Sequence, residues 1–328
     1  RIGERPVMLA DDLASTALLA SDKPIAIAPA MNCMMWSNPA TQRNIQILQQ
    51  QGVSIIGPEN GDTACGETGT GRMSEPEHIL KFVKNFLNRG VLKGKKALVT
   101  SGPTYEPIDP VRFIGNRSSG KQGHAVARAL AAAGADVTLV TGPVSLPDPG
   151  GVKTIHVETA AQMHEACESA LPVDIAVCAA AVADWTPVST SDTKIKKDNA
   201  EGPSISGMEM KQTPDILESI ARHTSKRPEL VVGFAAETDN FENNAQRKIK
   251  NKNCDILLAN DVSDGQVFGQ DENAFVCFAK NAQGDTHKQT WDIDTKDALA
   301  QKLISLIIDS LQDRLDKKYK GSYQNAAE

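Results

Sequence analysis

Residues 112–123 read Arg-Phe-Ile-Gly-Asn-Arg-Ser-Ser-Gly-Lys-Gln-Gly and lie between an apolar run, 96–100, and an alanine-rich run, 124–133. A strand, a polar turn and a helix in this order predict a phosphate cradle, where backbone N–H groups and the positive end of the helix dipole converge on an anion. The stretch departs from a P-loop, because Gln122 stands where Ser or Thr would ligate magnesium and about a dozen residues separate it from the strand. We therefore exclude a P-loop ATPase and predict a nucleotide or phosphate site.

Length and composition limit the classes of protein that fit. The chain has 328 residues, enough for two domains that each bury a core. A net charge of -6 and an aromatic content of 4% argue against a nucleic-acid binder, and no apolar run reaches the roughly 18 residues of a membrane span. Six cysteines without a C-x-x-C pair suit the reducing cytoplasm. The chain opens at Arg1, which indicates a fragment.

The pattern predicts two domains, residues 1–91 and 92–328. For the first domain we expect a glycine-rich loop at 57–74, and short elements elsewhere: helices at 12–20, 38–51 and 75–88, and strands at 24–29 and 53–56.

The second domain alternates strands and helices, and several of its strand runs are apolar enough to be buried on both faces. We predict an α/β fold with a Rossmann-like, doubly wound parallel sheet, followed by a β-hairpin at 274–293, a helix at 295–315 and a frayed polar tail. Predicted strands lie at 96–100, 136–141, 152–157, 173–179, 229–234 and 254–259, and helices at 121–133, 160–170, 214–223 and 240–251. Thr213 and Pro214 are expected to cap and begin the third of these helices.

Eight sequence patches occur in a characteristic order along the chain. They are Pro-Ala-Met-Asn at 29–32, Ala-Cys-Gly-Glu at 64–67, Ser-Gly-Pro-Thr at 101–104, the cradle at 115–123, Ala-Ala-Ala-Val-Ala-Asp at 179–184, Lys-Ile-Lys-Lys at 194–197, Val-Gly-Phe-Ala-Ala-Glu-Thr at 232–238 and Leu-Ala-Asn-Asp at 258–261. Together they resemble the bifunctional coenzyme A biosynthesis family, which joins phosphopantothenoylcysteine decarboxylase to phosphopantothenate–cysteine ligase. The resemblance covers nearly all of 1–316. It implies a ligase domain preceded by the C-terminal part of a flavodoxin-like decarboxylase domain, without the segment that binds most of the flavin.

The resemblance implies a ligase that uses CTP and Mg²⁺. The carboxylate of 4′-phosphopantothenate attacks the α-phosphate, and the amine of L-cysteine then displaces CMP from the acyl-cytidylate. Lys194 would hold the triphosphate, and Asn116 would donate a hydrogen bond to the acyl oxygen. Arg112 would bind a substrate carboxylate or phosphate. Whether Mg²⁺ has a protein ligand or binds through the triphosphate stays open, as does a purely structural role for the turn residues.

The same resemblance implies a CTP-binding set along the second domain. Lys248 and Lys252 lie four residues apart on one helix face, so they are expected as two unpaired cations, either at the surface or clamping the triphosphate. Phe234 would pack on the cytosine or in the core. The remaining predicted CTP contacts are Ser118, Gly120, Cys178, Ala179, Ala180, Asp184, Pro214, Asp215, Ile216 and Leu217.

For the first domain the resemblance implies decarboxylation of 4′-phosphopantothenoylcysteine with FMN in the full-length protein. Cys65 would supply a proton from a glycine-rich flap. Asn32 would grip the substrate carboxylate, and Met31 would lie beside the flavin. The family also implies self-association, with dimers of the ligase and trimers of the decarboxylase.

Two other interpretations compete with this one. An NAD(P)-dependent oxidoreductase is disfavoured because no G-x-G-x-x-G follows the first strand and no acidic residue ends the second. A non-enzymatic flavodoxin-like regulatory subunit would not need Lys194, Asn116 and the CTP-contact patches together.

Overall fold

The structure, a computed structural model, describes residues 12–62, 68–87, 90–196, 207–237, 241–261, 270–281 and 283–324. The chain divides into two compact units, with the boundary between residues 87 and 88. Among the described residues no helix is long and apolar enough to span a membrane.

The first unit consists of short helices and strands. A parallel strand pair, β1–β2, lies between the helices, and an antiparallel pair, β3–β4, follows it. The predicted loop at 57–74 is therefore wrong in part, because glycine-rich strands without alternating apolar residues gave no sequence signal. The elements are α1 (Leu13–Ala20), β1 (Ala26–Ile27), α2 (Cys33–Ser37), α3 (Pro39–Gln50), β2 (Ser54–Ile55), β3 (Glu59–Asp62), β4 (Thr68–Arg72) and α4 (Pro76–Leu87).

The second unit is built on one eight-stranded sheet with helices on both faces. Its strands are β5 (Lys96–Ser101), β8 (Asp136–Thr141), β9 (Lys153–His156), β10 (Ile175–Cys178), β13 (Leu230–Glu237), β14 (Ile256–Asp261), β15 (Glu272–Lys280) and β16 (Thr286–Thr295). Two short antiparallel pairs lie outside this sheet, β6 (Tyr105–Pro107) with β7 (Phe113–Gly115) and β11 (Trp185–Pro187) with β12 (Met210–Gln212). The helices are α5 (Lys121–Ala132), α6 (Ala160–Ala170), α7 (Ile216–Ala221), α8 (Phe241–Asn251) and α9 (Lys296–Gln324).

The strand order of the large sheet is β9-β8-β5-β10-β13-β14-β15-β16. Neighbours from β9 to β14 pair in parallel, and β15 and β16 extend the sheet as an antiparallel hairpin. Counted along the unit, the parallel strands follow the order 3-2-1-4-5-6 of a doubly wound nucleotide-binding fold. The predicted α/β architecture is confirmed.

Alternate residues of each strand enter two separate cores. In β5, Val99 packs with α5 and α9, whereas Leu98 packs with α6, α7 and α8 on the other face. Both side chains are at most 1% exposed, so neither face of the central strands meets water. Burial on both faces explains why these strands read as continuous apolar runs.

Two helix ends differ from the sequence prediction. α7 begins at Ile216, and its N-cap is Asp215, whose carboxylate accepts a hydrogen bond from the Glu218 N–H at 2.9 Å. Thr213 does not cap this helix, because its hydroxyl donates instead to the Ala183 carbonyl at 2.5 Å. α9 continues to Gln324, so the tail predicted to be frayed is helical to that residue.

The order of the strands fixes where a ligand can bind. The connection from β5 leads to β8 on one side, while β10 lies on the other, so their carboxyl ends diverge at a topological switch point. In open α/β sheets the ligand crevice lies at such a point, outside the carboxyl ends of the strands.

Candidate active site

A cavity of about 850 Å³ opens at this switch point, outside the carboxyl ends of β5, β10 and β13. We call it the main cavity. Residues from six separate segments of the chain, the first at Thr100 and the last ending at Lys252, line it together. Of the residues predicted from the sequence, it is lined by Asn116, Cys178, Ala180, Asp184, Pro214, Asp215, Ile216, Leu217, Phe234, Lys248 and Lys252.

The loop after β10 is held by hydrogen bonds to the loop after β5. Ala180 N–H donates to the Thr100 hydroxyl at 3.2 Å, and Ala181 N–H donates to the Gly102 carbonyl at 2.8 Å. Ala183 N–H donates to the Thr104 hydroxyl at 3.0 Å. Because these three backbone N–H groups bond to other protein atoms, they are not available to bind a ligand. The contribution of the loop is its small side chains, which allow a ligand to approach the backbone closely.

Both predicted lysines, Lys248 in α8 and Lys252 directly after it, are ion-paired. Lys252 Nζ bonds the carboxylates of Asp215 and Glu218, the latter at 3.0 Å, and Lys248 Nζ bonds Glu237 at 3.0 Å. Burial lowers the pKa of Lys252, but the hydrogen bonds to Asp215 and Glu218 outweigh it and raise the pKa above its usual value. The expectation of two unpaired cations is therefore wrong, because the partners come from strands and helices distant in sequence.

Asn116 is oriented by two backbone carbonyls. Its Nδ2 donates to Val182 O at 2.8 Å and to Ala181 O at 3.4 Å, an assignment fixed by the two acceptors. The predicted donation from this amide to an acyl oxygen would have to replace one of these two contacts, of which that to Ala181 O is the longer. Asn116 Oδ1 accepts no hydrogen bond from the described residues, which suits it to accept one from an amine.

A smaller cavity of about 180 Å³ adjoins the main one and shares Ala180, Ala181 and Phe234 with it. We call it the cradle cavity. It is formed by residues 117–123 at the start of α5, with the predicted contacts Ser118, Gly120 and Ala179 among its lining. Lys121 and Lys296 also line it, and the sequence analysis assigned neither to a site.

The start of α5 lies directly on β5. Gly120 is the N-cap with φ of +73°, a conformation that favours glycine, and its carbonyl accepts a hydrogen bond from the Ser101 hydroxyl at 2.9 Å. A Cβ on Gly123 would lie 2.5 Å from Ser101 Oγ and 3.0 Å from Thr100 O. The glycines of this stretch therefore set how close the N–H groups of the helix lie to the edge of the sheet.

Neither Arg112 nor Lys194 is among the described residues that line the main cavity or the cradle cavity. Arg112 donates to the Asp109 carboxylate from Nε at 3.0 Å and from Nη2 at 2.5 Å, and also to the Ile195 carbonyl at 2.6 Å. Ile195 N–H donates to the same carboxylate at 3.1 Å. The Arg112–Asp109 pair thus fastens the segment that carries Lys194, which is itself exposed.

Asp109 is a residue that sequence reasoning missed. Its side chain is fully buried and accepts from the N–H groups of Val111 and Arg112 as well as from the Arg112 guanidinium. The bond to Arg112 holds the pKa of this carboxyl far below its usual range, and the backbone donors add to that effect. The Asp-Pro-Val-Arg spacing was the available signal, because an aspartate often caps its own turn through N–H groups two and three residues on.

The thiols of the second unit offer no nucleophile. Burial raises the pKa of Cys178 well above its usual value, so the residue contributes packing and backbone to the main cavity rather than a thiolate. Among the described residues no cluster of His, Cys, Asp and Glu could hold a metal ion.

In the first unit, β4 packs on the segment that precedes α2. Met31 N–H donates to Gly71 O at 2.9 Å, and a Cβ on Gly71 would lie 2.3 Å from Met31 O, so only glycine fits. Asn32 is the N-cap of α2 and accepts from Met34 N–H at 2.7 Å. A neutral amide beside a thioether fits the ring and substrate side of a flavin site. Cys65 lies outside the described residues.

Comparison with known proteins identifies the family. The model described as the DNA/pantothenate metabolism flavoprotein C-terminal domain matches residues 92–311, and the model described as Flavoprotein matches residues 8–88. A coenzyme A biosynthesis bifunctional protein CoaBC from Vibrio cholerae is 45% identical over 301 residues, which cover 91% of this chain and 73% of that protein. The chain belongs to the bifunctional coenzyme A biosynthesis family.

Other members of the bifunctional family agree with this result. The protein of the same name from Haemophilus influenzae is 44% identical over 96% of this chain and 76% of its own length. The crystal structure of the C-terminal domain of a CoaBC protein is 34% identical, with a TM-score of 0.55 over 68% of this chain and 99% of that domain. The family and the fold predicted from the sequence are confirmed, and the oxidoreductase and regulatory-subunit alternatives gain no support. The roles of individual residues stay predictions.

Proposed function

We propose that this chain joins 4′-phosphopantothenate to L-cysteine with CTP, through an acyl-cytidylate, as the ligase step of coenzyme A biosynthesis. The observation that carries the proposal is the continuous cleft formed by the main and cradle cavities at the switch point of the sheet. Three of the patches that carry the family resemblance meet there, 115–123, 179–184 and residues 234–236 of the patch at 232–238, together with the predicted CTP contacts at 214–217. Family membership supports the same conclusion.

The dimensions and lining of the cleft suggest where each part of the nucleotide binds. Cytosine and ribose fit the main cavity, against Pro214–Leu217 and Phe234, with Asp184 as partner for a ribose hydroxyl or a magnesium-bound water. The phosphates fit the cradle cavity, where the N–H groups at the start of α5 point at an anion. Mg²⁺ would enter with the triphosphate. This pose places the α-phosphate near residues 179–181, between the two cavities.

The chemistry then needs little beyond positioning and charge. The substrate carboxylate attacks the α-phosphate and pyrophosphate leaves, while Lys194 closes over the triphosphate from its exposed segment. Asn116 Oδ1 accepts a hydrogen bond from the α-amino group of cysteine, and this bond orients the nitrogen lone pair towards the acyl carbon. The amide bond forms as the bond from the acyl carbon to the CMP oxygen breaks.

For the first unit we propose a part in decarboxylating the ligase product with FMN. FMN, when bound, supplies reversible two-electron oxidation of the substrate. The hydrogen bond from Met34 N–H fixes the plane of the Asn32 amide, so that this side chain can grip the substrate carboxylate, and Met31 would contact the flavin ring. Cys65 remains the proposed proton donor.

The two short strand pairs of the second unit support self-association. Val111, Phe113 and Trp185 are each about half exposed and lie on or beside these pairs. Apolar side chains grouped on small antiparallel strands are typical of a protein interface. We propose that the ligase part dimerises through them, and sedimentation velocity of the purified chain tests this: a monomer at micromolar concentration contradicts it.

The decisive experiment measures pyrophosphate release from the full 328-residue chain with 4′-phosphopantothenate, Mg²⁺ and each nucleoside triphosphate. We expect release with CTP, much less with ATP, and formation of CMP with the cysteine adduct when L-cysteine is added. Omitting 4′-phosphopantothenate is the matched control, since simple CTP hydrolysis would persist without it. Folded protein that releases no pyrophosphate with any nucleotide would refute the proposed ligase activity.

A further inference from the structure

Lys296 is a buried cation that forms no ion pair with the residues the structure describes. It is the first residue of α9, is 9% exposed, and lines the cradle cavity. Its ammonium donates one hydrogen bond, to the Gln270 carbonyl, and no carboxylate of the described residues lies within ion-pair distance. Gln122 Nε2 donates to the Lys296 carbonyl at 3.4 Å, which ties the start of α9 to the start of α5.

A buried ammonium in this position is costly unless a counter-ion joins it. Burial lowers the pKa of Lys296, and the nearby Lys121 lowers it further, while Asp271 opposes the shift. Asp271 is paired with Lys121 at 2.7 Å and does not compensate Lys296 directly. The protein thus keeps a desolvated positive charge at the cavity wall.

The lining of the cradle cavity is one-sided in charge. Arg117, Lys121 and Lys296 line it, and its described lining residues include no carboxylate. The positive end of the α5 dipole adds to this field. The main cavity differs, because Asp184, Asp215 and Glu218 line it together with its lysines. An anionic group therefore gains most at the Lys296 end of the cleft.

We propose that Lys296 is a phosphate-binding residue whose counter-ion is a phosphate group of the ligase substrates, bound in the cradle cavity. The inference rests on the proposed function and adds a residue to it. Two sources carry this chemistry: the β- and γ-phosphates of the nucleotide, which leave as pyrophosphate, and the terminal phosphate of 4′-phosphopantothenate. In either case the ammonium touches the bound phosphate, and the free protein bears the cost of keeping it buried.

The test compares Lys296→Met with Lys302→Met, which removes an exposed lysine of the same helix. Calorimetric titration of the full chain uses CTP, CMP, pyrophosphate, 4′-phosphopantothenate and pantothenate. If Lys296 binds the β- and γ-phosphates, Lys296→Met lowers the affinity for CTP and for pyrophosphate about 10- to 100-fold, as expected for a lost charge-assisted hydrogen bond, and leaves the affinity for CMP unchanged. If Lys296 binds the terminal phosphate, the affinity for 4′-phosphopantothenate falls by a similar factor and the affinity for pantothenate does not change.

Thermal unfolding of the free proteins supplies a second readout. Lys296→Met should melt no lower than the parent chain, because it removes an uncompensated buried charge, although it binds phosphate more weakly. Should that variant not fold, amine-reactive labelling of the parent chain replaces it, with pyrophosphate or 4′-phosphopantothenate expected to protect Lys296 several-fold. Affinities of Lys296→Met within two-fold of Lys302→Met for every ligand, or no protection, overturn the inference. A parent chain that binds neither CTP nor 4′-phosphopantothenate overturns the proposed function instead.

Discussion

The two cavities of the ligase cleft differ in how their charges are balanced. In the main cavity Lys248 and Lys252 are already bound to Glu237, Asp215 and Glu218. In the cradle cavity Lys121 is paired with Asp271, but Lys296 has no such partner in the described part of the chain, and a helix N-terminus faces the same space. Paired charges position backbone and side chains, whereas an unpaired buried charge attracts a ligand. A count of the lysines in a pocket is therefore not enough to predict a phosphate site, because the partners of each lysine also have to be known.

The centre of the cleft should give the largest effect on activity. Asn116→Ala removes the acceptor proposed for the cysteine amine, and we expect ligation to fall about 100- to 1000-fold, the range seen for a lost oriented polar group. Pyrophosphate release in a single turnover should change little, because pyrophosphate leaves before the amine of cysteine reacts. Rapid-quench assays that follow pyrophosphate and CMP separately measure both steps. Asn243→Ala, at an exposed position of α8, is the control. Equal loss of both steps would contradict the assigned role.

The cradle end can be disrupted by one methyl group. Gly123→Ala places a Cβ against Ser101 and Thr100, so we expect overpacking of about 1–3 kcal/mol in the free energy of unfolding. Displacing the start of α5 by a fraction of an ångström should also lower CTP-dependent turnover about 100-fold. Urea unfolding and steady-state assays measure the two effects. Gly150→Ala, where an added Cβ meets nothing within 4 Å, is the control, and equal behaviour of the two variants would exclude the close packing described.

The Arg112–Asp109 pair, which we call the clamp, holds the segment that carries Lys194. Weakening this clamp should lower activity less than the two changes above. Asp109→Asn keeps the size of the side chain but weakens its bonds to Arg112 and Ile195, and we expect kcat/KM for CTP to fall about 10- to 100-fold through misplacement of Lys194. Asp192→Asn, an exposed residue of the same segment, is the control. Unchanged turnover would show that Lys194 does not depend on this clamp.

The same variant makes a prediction about pH. The pKa of Asp109 is depressed in the folded protein, so its contribution to stability is complete above the unfolded value of about 4 and is lost as the pH falls towards the folded value. The difference in melting temperature between the parent chain and Asp109→Asn should therefore be constant near neutrality and narrow below about pH 4. A difference that widens on acidification has the wrong sign and would contradict the assignment.

The main cavity should show the smallest effect. Lys252→Met leaves Asp215 and Glu218 without their ammonium partner and loosens the start of α7, where Pro214–Leu217 line the cavity. We expect the affinities for CMP and for CTP to fall equally, about five-fold, and the affinity for pyrophosphate to stay unchanged. The control is Lys250→Met, which removes an exposed lysine from the last turn of α8. A selective loss of pyrophosphate binding would place phosphates at this end and break the comparison between the two cavities.

Much of the ligase fold could be predicted because its strands are buried on both faces. The run at 96–100 and the alternation of strand and helix after it sufficed for the parallel sheet. The exact cap of α7 was not predictable, since Thr213 and Asp215 are both good caps and a contact with Ala183, thirty residues earlier, decided between them. The β3–β4 hairpin was missed because its glycines carry no apolar alternation.

The candidate site was predicted less completely than the fold. Patches such as 115–123 and 214–217 were found because they are local in sequence. The ion pairs of Lys248 and Lys252 and the burial of Lys296 were not, because they depend on residues brought together from distant elements. In the sequence, Lys296 is one of several charges in the predicted helix at 295–315, and nothing marks it as buried. Its burial, away from the carboxylates of the described residues, depends on the packing of this helix against α5.

The hydrogen bond from Gln122 to the Lys296 carbonyl spans 174 positions of the chain. A protein synthesised from its N-terminus has the glycine-rich turn and the first parallel strands long before it has the lysine that completes the cradle. Until the C-terminal hairpin and α9 dock, the wall that Phe275 and Lys296 contribute to the cradle cavity is not yet in place. If Lys296 binds phosphate as proposed, ligand binding in the cradle has to wait for the last helix, and so it reports that this helix has docked.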